Sequence, residues 1–482
     1  KQIKIDGRDM SFTRDQLDTT VGTSQWTGVK GPNSDEETYV QFDVEYDLDI
    51  GALSKFEFGV RYTDHEFEKE FYRAIYTDEP NSFNTSDLYS GTMKLGYAGY
   101  TIPKANLNAM INSTLSLVDK FAYDRAGYGL IEEENFSAYG MFSFEGEGFR
   151  GNFGLRYIST DVKSTGHVID NSPADDLAVN AGWSEELHTE SDSYSDVLPS
   201  FNVAFDLDQD LILRFSAAQA ITRPTYDALF LSAVSGYPDD RRGNEEITYG
   251  NPGLKPMKSS QADLSLEYYY GDGNLLSATY FIKDISNFIV QTTKHDQQLG
   301  VVNNDLDPPA DNWTVNNFVN AGGGTIDGIE FQLNHAWDNC FGLVANYTFT
   351  DGDAPAEVYT DNVGIFTEAS KHSANIVGYW ESDDYSARVA YNYRSEYMIR
   401  EFGKYYGNRM HDDYGTLDLT LGWNATENIS VRLEVVNLTE EDDVQYGVAD
   451  ADTVVKPALK EGFPSWSFKG ETTYKLGVSF QF

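Results

Sequence analysis

Fifteen segments of this chain alternate apolar and polar residues with a period of two, and the connections between them alternate between very short and very long. They begin near residues 39, 53, 134, 149, 194, 210, 260, 274, 325, 340, 372, 384, 413, 428 and 471, and a weaker sixteenth, "KQIKI", opens the chain. A β-strand points successive side chains to opposite faces, so each segment has one apolar and one polar row. At the end of the chain, Tyr474, Leu476, Val478, Phe480 and Phe482 oppose Lys475, Gly477, Ser479 and Gln481. In "FRGNFGLRYIST", Phe149, Phe153, Leu155 and Tyr157 oppose Arg150, Asn152, Arg156 and Thr160. Arginines stand mid-strand in the polar row at 150, 214, 388 and 432, where a wet lumen accepts them more readily than a sandwich does.

The short connections are "EGEG" at 145, "DLDQD" at 206, "GDG" at 271, "WDN" at 337, "SDD" at 382 and "NATEN" at 424. Their Gly, Asp and Asn content marks tight turns. The long ones cover roughly residues 64–133, 161–193, 222–258, 291–324, 351–370, 395–412 and 440–469. Strict alternation puts every long connection at one end of a single antiparallel sheet. Transmembrane barrels have this asymmetry, and closure removes the edges that lipid would leave unpaired. The fold class expected is therefore all-β, a transmembrane antiparallel barrel of about 16 strands in this chain, with short periplasmic turns and long extracellular loops. Trp380, Tyr397, Trp423 and Tyr474, near strand ends, read as an interfacial girdle.

Composition agrees. No run of 18 apolar residues exists, which excludes a transmembrane helix, while a mean hydropathy of −0.47 is what strands with one wet face average to. Asp and Glu outnumber Lys and Arg by 77 to 35, so phosphate neutralisation fails and no nucleic-acid partner is expected. The solitary Cys340 excludes an intramolecular disulfide. Lys1 stands where a Met would open a primary product, so the chain reads as processed or as a fragment.

No residues support catalysis. The seven His show no ligand spacing, and there is no GxSxG elbow, Cys–His pairing or P-loop. Gly322, Gly323 and Gly324 lack a following helix and Lys, and read as a flexible entry to the next strand. "NPGLKP" (251–256) reads as a loop anchor, with a ligand-proximal loop as the alternative. No cofactor is expected, though Asp206, Asp208 and Asp210, or Asp351 and Asp353, have spacings that suit loop-bound divalent cations such as calcium. Trp183, Tyr237, Trp313, Tyr405, Tyr406 and Trp466 lie in long connections beside Asp and Asn. Such aromatic faces suit sugar rings, and equally suit packing one loop on another.

Several stretches resemble the TonB-dependent outer-membrane receptors, and within them the proteobacterial subgroup often tied to carbohydrate uptake. They are "YSDVLPSFNVAFDLDQDLILRFSAAQAITRP" at 194–224, "GNPGLKP", "LLSATYFIKDISNFIV", "GGGTIDGIEFQLNH", "KHSANIVGYW", "ARVAYNYRSEY" and "VVNLTEED". The terminal strand ending in Phe482 resembles the assembly signal of outer-membrane barrels. The resemblance implies a barrel of 22 strands, an N-terminal plug and a box that engages TonB. Neither plug nor box is read here, so residues 1–482 are expected to be the C-terminal part of the barrel. Implied partners are the TonB complex, the plug domain, outer-membrane lipid and lipopolysaccharide, the barrel assembly machinery and a surface lipoprotein. The implied function is active uptake of a scarce nutrient across the bacterial outer membrane. A net charge of −42 steers away anionic ferric siderophores and favours an oligosaccharide cargo. A ferric-siderophore receptor, a passive 16-stranded porin and a surface adhesin or scaffold are the alternatives.

Overall fold

The computed structural model describes residues 2–5, 8–11, 29–76, 88–94, 101–115, 118–231 (apart from 171, 174, 178, 179 and 181), 233–235, 246–300, 302, 308–354, 366–399, 408–447 and 464–481. One antiparallel sheet of 15 strands dominates it. Its strands in chain order are β1 (Asn33–Ile50), β2 (Leu53–Lys69), β3 (Gly129–Gly146), β4 (Phe149–Gly166) and β5 (His188–Asp208). β6 (Leu211–Thr222), β7 (Met257–Tyr270), β8 (Asn274–Ser286), β9 (Gly324–Ala336) and β10 (Phe341–Asp353) follow. β11 (His372–Glu381), β12 (Tyr385–Arg394), β13 (Tyr414–Thr426), β14 (Ile429–Val436) and β15 (Thr473–Phe480) complete it. Each strand pairs with the next in sequence, and among the described residues β1 and β15 are the two edges. All fifteen strong period-two segments are present. The weak one at the chain start instead forms a hairpin, Gln2–Ile5 with Arg8–Ser11, outside this sheet.

Register stacks the apolar rows of neighbouring strands on one face. Phe142 of β3 lies opposite Phe56 of β2 and Phe153 of β4, with ring centroids 4.7 and 5.4 Å away. From Phe56 up to Tyr62, and from Phe144 up to Phe136, this outer face forms a belt about 20 to 26 Å long at 3.3 Å per residue. That approaches the apolar band of a transmembrane barrel. Trp423 stacks on Tyr385 at the lower rim of the belt. Tyr397 is not in the girdle: it sits in a separate loop strand, Tyr397–Ile399, stacked 4.7 Å from His411 beneath the Arg394 guanidinium.

Above the belt the polarity of β2, β3 and β4 inverts. The outer row becomes Asp64, Glu66, Glu132, Glu134, Asp161 and Lys163, while the inner row becomes Phe67, Ile131 and Val162. Ile131 and Val162 are buried there with Ala228, Leu229, Phe230 and Leu254. This corrects the expected boundaries: β2 runs on to Lys69, β3 starts at Gly129, β4 reaches Gly166 and β5 starts at His188, inside the connections expected at 64–133 and 161–193. The apolar residues change phase at the belt edge, so one period-two pattern cannot follow the strand through it. Below the edge the outward row is apolar. Above it, the outward row is charged and the inner face seats a loop.

That loop begins where β6 ends. Arg223 reaches Asn135 of β3 and Thr160 of β4, and Tyr226 reaches His65 of β2. The segment Arg223–Phe230 therefore crosses back over the inner face of β5, β4 and β3 to β2, as a strap. The "NPGLKP" stretch anchors its return. Leu254 is buried, the Lys255 ammonium lies 2.6 Å from Asp192, and the Lys255 amide donates to Asn320.

Candidate functional site

A cleft of about 380 Å³ opens on the inner face at the height of the belt's upper edge, under the strap. Arg61, Thr63 and His65 of β2 line it, with Glu133, Asn135 and Ser137 of β3, Arg156 of β4, Glu37 of β1 and Arg223 of the strap. Strand periodicity brings these together, because alternate residues of adjacent strands share a face.

Most of these groups hold one another. Asn135 donates to Glu133 at 2.7 Å and accepts from Thr160 at 2.6 Å and from the Arg223 guanidinium at 2.7 Å. Arg223 Nε lies 3.6 Å from the buried Glu133 carboxylate. Arg61 donates to Thr63 at 3.1 Å and to Glu37 at 3.3 Å. Tyr226 and Asp35 flank His65, each at 2.5 Å, and burial above all pushes the Tyr226 hydroxyl well up, so it stays a donor. Arg156 is exposed, lies 5.1 Å over the Tyr139 ring and forms no salt bridge among the described residues. Of the three lining arginines, Arg61 and Arg223 each lie against a glutamate, and Arg156 is the one left without a carboxylate among the described residues, in a chain of net charge −42. Nothing in the composition foretold it. Arg156 was legible as a polar-row residue, but Arg61 and the strap's Arg223 needed the fold.

Lower on the same face a second cleft, of about 550 Å³, is lined by closed polar pairs. Arg150 meets Asp206 at 2.9 Å, Arg214 meets both oxygens of Glu267 at 2.8 and 2.9 Å, and Ser216 donates to Asp263 at 2.9 Å. Asp206 is therefore engaged by an arginine, and among the described residues no three His, Cys, Asp or Glu side chains converge on a metal-sized site.

The aromatics singled out in the long connections divide. Trp183 and Trp313 come together, but in the interior of the loop layer, 4% and 5% exposed, packed with Ala126, Ile247 and Val315. They hold loop on loop. The strand Trp313–Asn320 there pairs with Glu246–Tyr249 and Ile289–Gln297. His167 braces the same layer: its Nδ1–H donates to the Ser184 carbonyl at 2.7 Å and its Nε2 accepts from Tyr123 at 3.1 Å. Burial is the main cause that lowers the His167 pKa, with the Arg125 charge adding to it. Trp466 is exposed and stacks on Phe468 at 5.8 Å. Tyr237, Tyr405, Tyr406 and Phe482 lie outside the described residues.

Residues 4–438 match the family described as "TonB dependent receptor-like, beta-barrel". No curated protein matches the chain. Among solved structures, the siderophore receptor PiuA of Acinetobacter baumannii superposes with a TM-score of 0.58 at 14% identity, over 93% of this chain and 56% of PiuA. The ferric yersiniabactin uptake receptor FyuA of Yersinia pestis gives 0.55 at 13% identity, over 95% and 55%. The copper transporter OprC gives 0.54 at 17% identity, over 94% and 57%. The likeness is one of fold, and the chain spans a little over half the length of each.

Proposed function

Because the chain belongs to the TonB-dependent receptor β-barrel family, we propose that it forms barrel wall of an outer-membrane receptor for TonB-dependent uptake of a scarce nutrient, with an oligosaccharide as cargo. The observation that carries this reading is the strap, Arg223–Phe230, seated on the inner face directly above the apolar belt. A passive porin needs that route open. A receptor needs a structured outer layer that presents cargo to the inner wall. Energy coupling through TonB and a plug is what the family implies.

A ferric-siderophore cargo is the second reading, favoured by the Arg156 guanidinium that has no carboxylate partner among the described residues of the upper cleft. PiuA is named as a siderophore receptor, FyuA for ferric yersiniabactin and OprC for copper, so the shared fold does not choose the cargo. A deletion strain decides between them. Loss of growth on an oligosaccharide as sole carbon source, with normal growth under iron limitation, supports the first reading; the reverse pattern supports the second. Uptake that persists after a protonophore collapses the proton-motive force would sink both.

A further inference from the structure

The upper cleft carries a feature that neither the loop aromatics nor the whole-chain charge explains. Arg156 presents a guanidinium with no carboxylate partner among the described residues, 5.1 Å over the Tyr139 ring, at the edge of a cavity large enough for a sugar unit. Its neighbours Arg61 and Arg223 are already turned toward Glu37 and Glu133. We propose that this cleft binds a carboxylate carried on a polyhydroxylated unit, a uronate-type sugar of an acidic oligosaccharide, with Arg156 taking the carboxylate. This rests on the saccharide reading of the cargo.

Charge and geometry favour a carboxylate over the other anions. Arg61 and Arg223 each lie against a glutamate, so Arg156 is the lining arginine left without a carboxylate among the described residues; a singly charged group neutralises it, and a doubly charged phosphate overshoots beside Glu37, Glu133 and Asp35. The planar fork of a guanidinium matches two carboxylate oxygens with parallel hydrogen bonds. Ser137 and the Glu37 carboxylate stand on the same wall to meet hydroxyls. A neutral sugar would leave the Arg156 charge uncompensated in a partly enclosed cleft, which opposes its entry.

The test is calorimetric titration of the full-length receptor, purified from native outer membranes, with a galacturonic acid trimer, a neutral galactose trimer and iron(III) citrate. The acidic trimer is expected to bind at least about tenfold more tightly than the neutral one. Arg156→Ala should weaken the acidic trimer roughly 10- to 100-fold without changing the neutral one, as for a charge-assisted hydrogen bond. Arg156→Lys, which keeps the charge but loses the fork, should fall between. Heat-modifiable migration in gels confirms that each variant is folded. If iron(III) citrate binds with this dependence on Arg156 and neither saccharide binds, the cleft assignment stands and the saccharide reading falls. Equal affinity for the two trimers, indifference to Arg156→Ala, or no binding of any of the three overturns the assignment.

Discussion

The Tyr226 hydroxyl lies 2.5 Å from Nδ1 of His65, joining the strap to a strand four places away in the sheet. The His65 ring passes the contact on to Asp35, so one hydrogen-bonded line runs from strap to β2 to β1. Tyr226→Phe keeps the ring that stacks on Phe67 at 5.4 Å and removes only the hydroxyl. It should loosen the strap by about 1 kcal/mol, the usual net value of such a bond. Hydrogen exchange across residues 225–231 is expected to quicken by several-fold, with the belt strands unchanged.

Phe230 supplies the strap's apolar anchor. It is fully buried, and Gly129 is flat against it: a Cβ there would sit 2.2 Å from the ring. Phe230→Ala should cost about 3–5 kcal/mol of local stability through the cavity it leaves. Gly129→Val should displace the same ring. Both variants are expected to open the strap to protease while the folded sheet keeps its heat-modifiable migration. A sheet that unfolds along with the strap would show that the two are one cooperative unit.

Acidification should loosen the loop layer through His167. Its folded pKa lies below the ordinary value of about 6.5, so the opened state takes up a proton first. The stability that neutral His167 contributes is full above about pH 6.5 and is lost as pH falls through the lower folded value. Exchange at the amides of residues 182–184, corrected for intrinsic rate, should therefore rise between pH 7.5 and 5.5. His167→Gln should flatten that pH step.

The legible part of this fold was the part with a single polarity rule. Rows such as Phe149, Phe153, Leu155 and Tyr157 gave every strand of the large sheet, since all of them share one unbroken apolar face. The extensions above the belt were missed because the rule reverses there: after Tyr62 the apolar residue of β2 is Phe67, on the other face. The strap was missed because its partners, His65 and Glu133, are far away in sequence and ordinary in type. Trp183 and Trp313 illustrate the limit of composition. Large aromatics in loops suit sugars and cores alike, and burial places these two in a core.

The two faces should answer differently to the same charge. Phe142, in the middle of the outer belt, packs against Phe56 and Phe153. Phe142→Arg should destabilise insertion by about 2–4 kcal/mol, the cost of a midplane arginine. Asn152→Arg, on the inner face beside Asn202, should cost far less. Folding into lipid vesicles over a urea series measures both.

The most direct test of the account is labelling of single cysteines in intact cells with a membrane-impermeant maleimide, after Cys340→Ser removes the native thiol. The sites are Glu132 above the belt, Phe142 within it and Asp208 at the lower end of β5, beside the short turn. The account predicts labelling at 132, and none at 142 or 208 until the membrane is disrupted, when 208 also reacts. Labelling at 142 in intact cells, or at 208 but not 132, would contradict the belt and the orientation built on it.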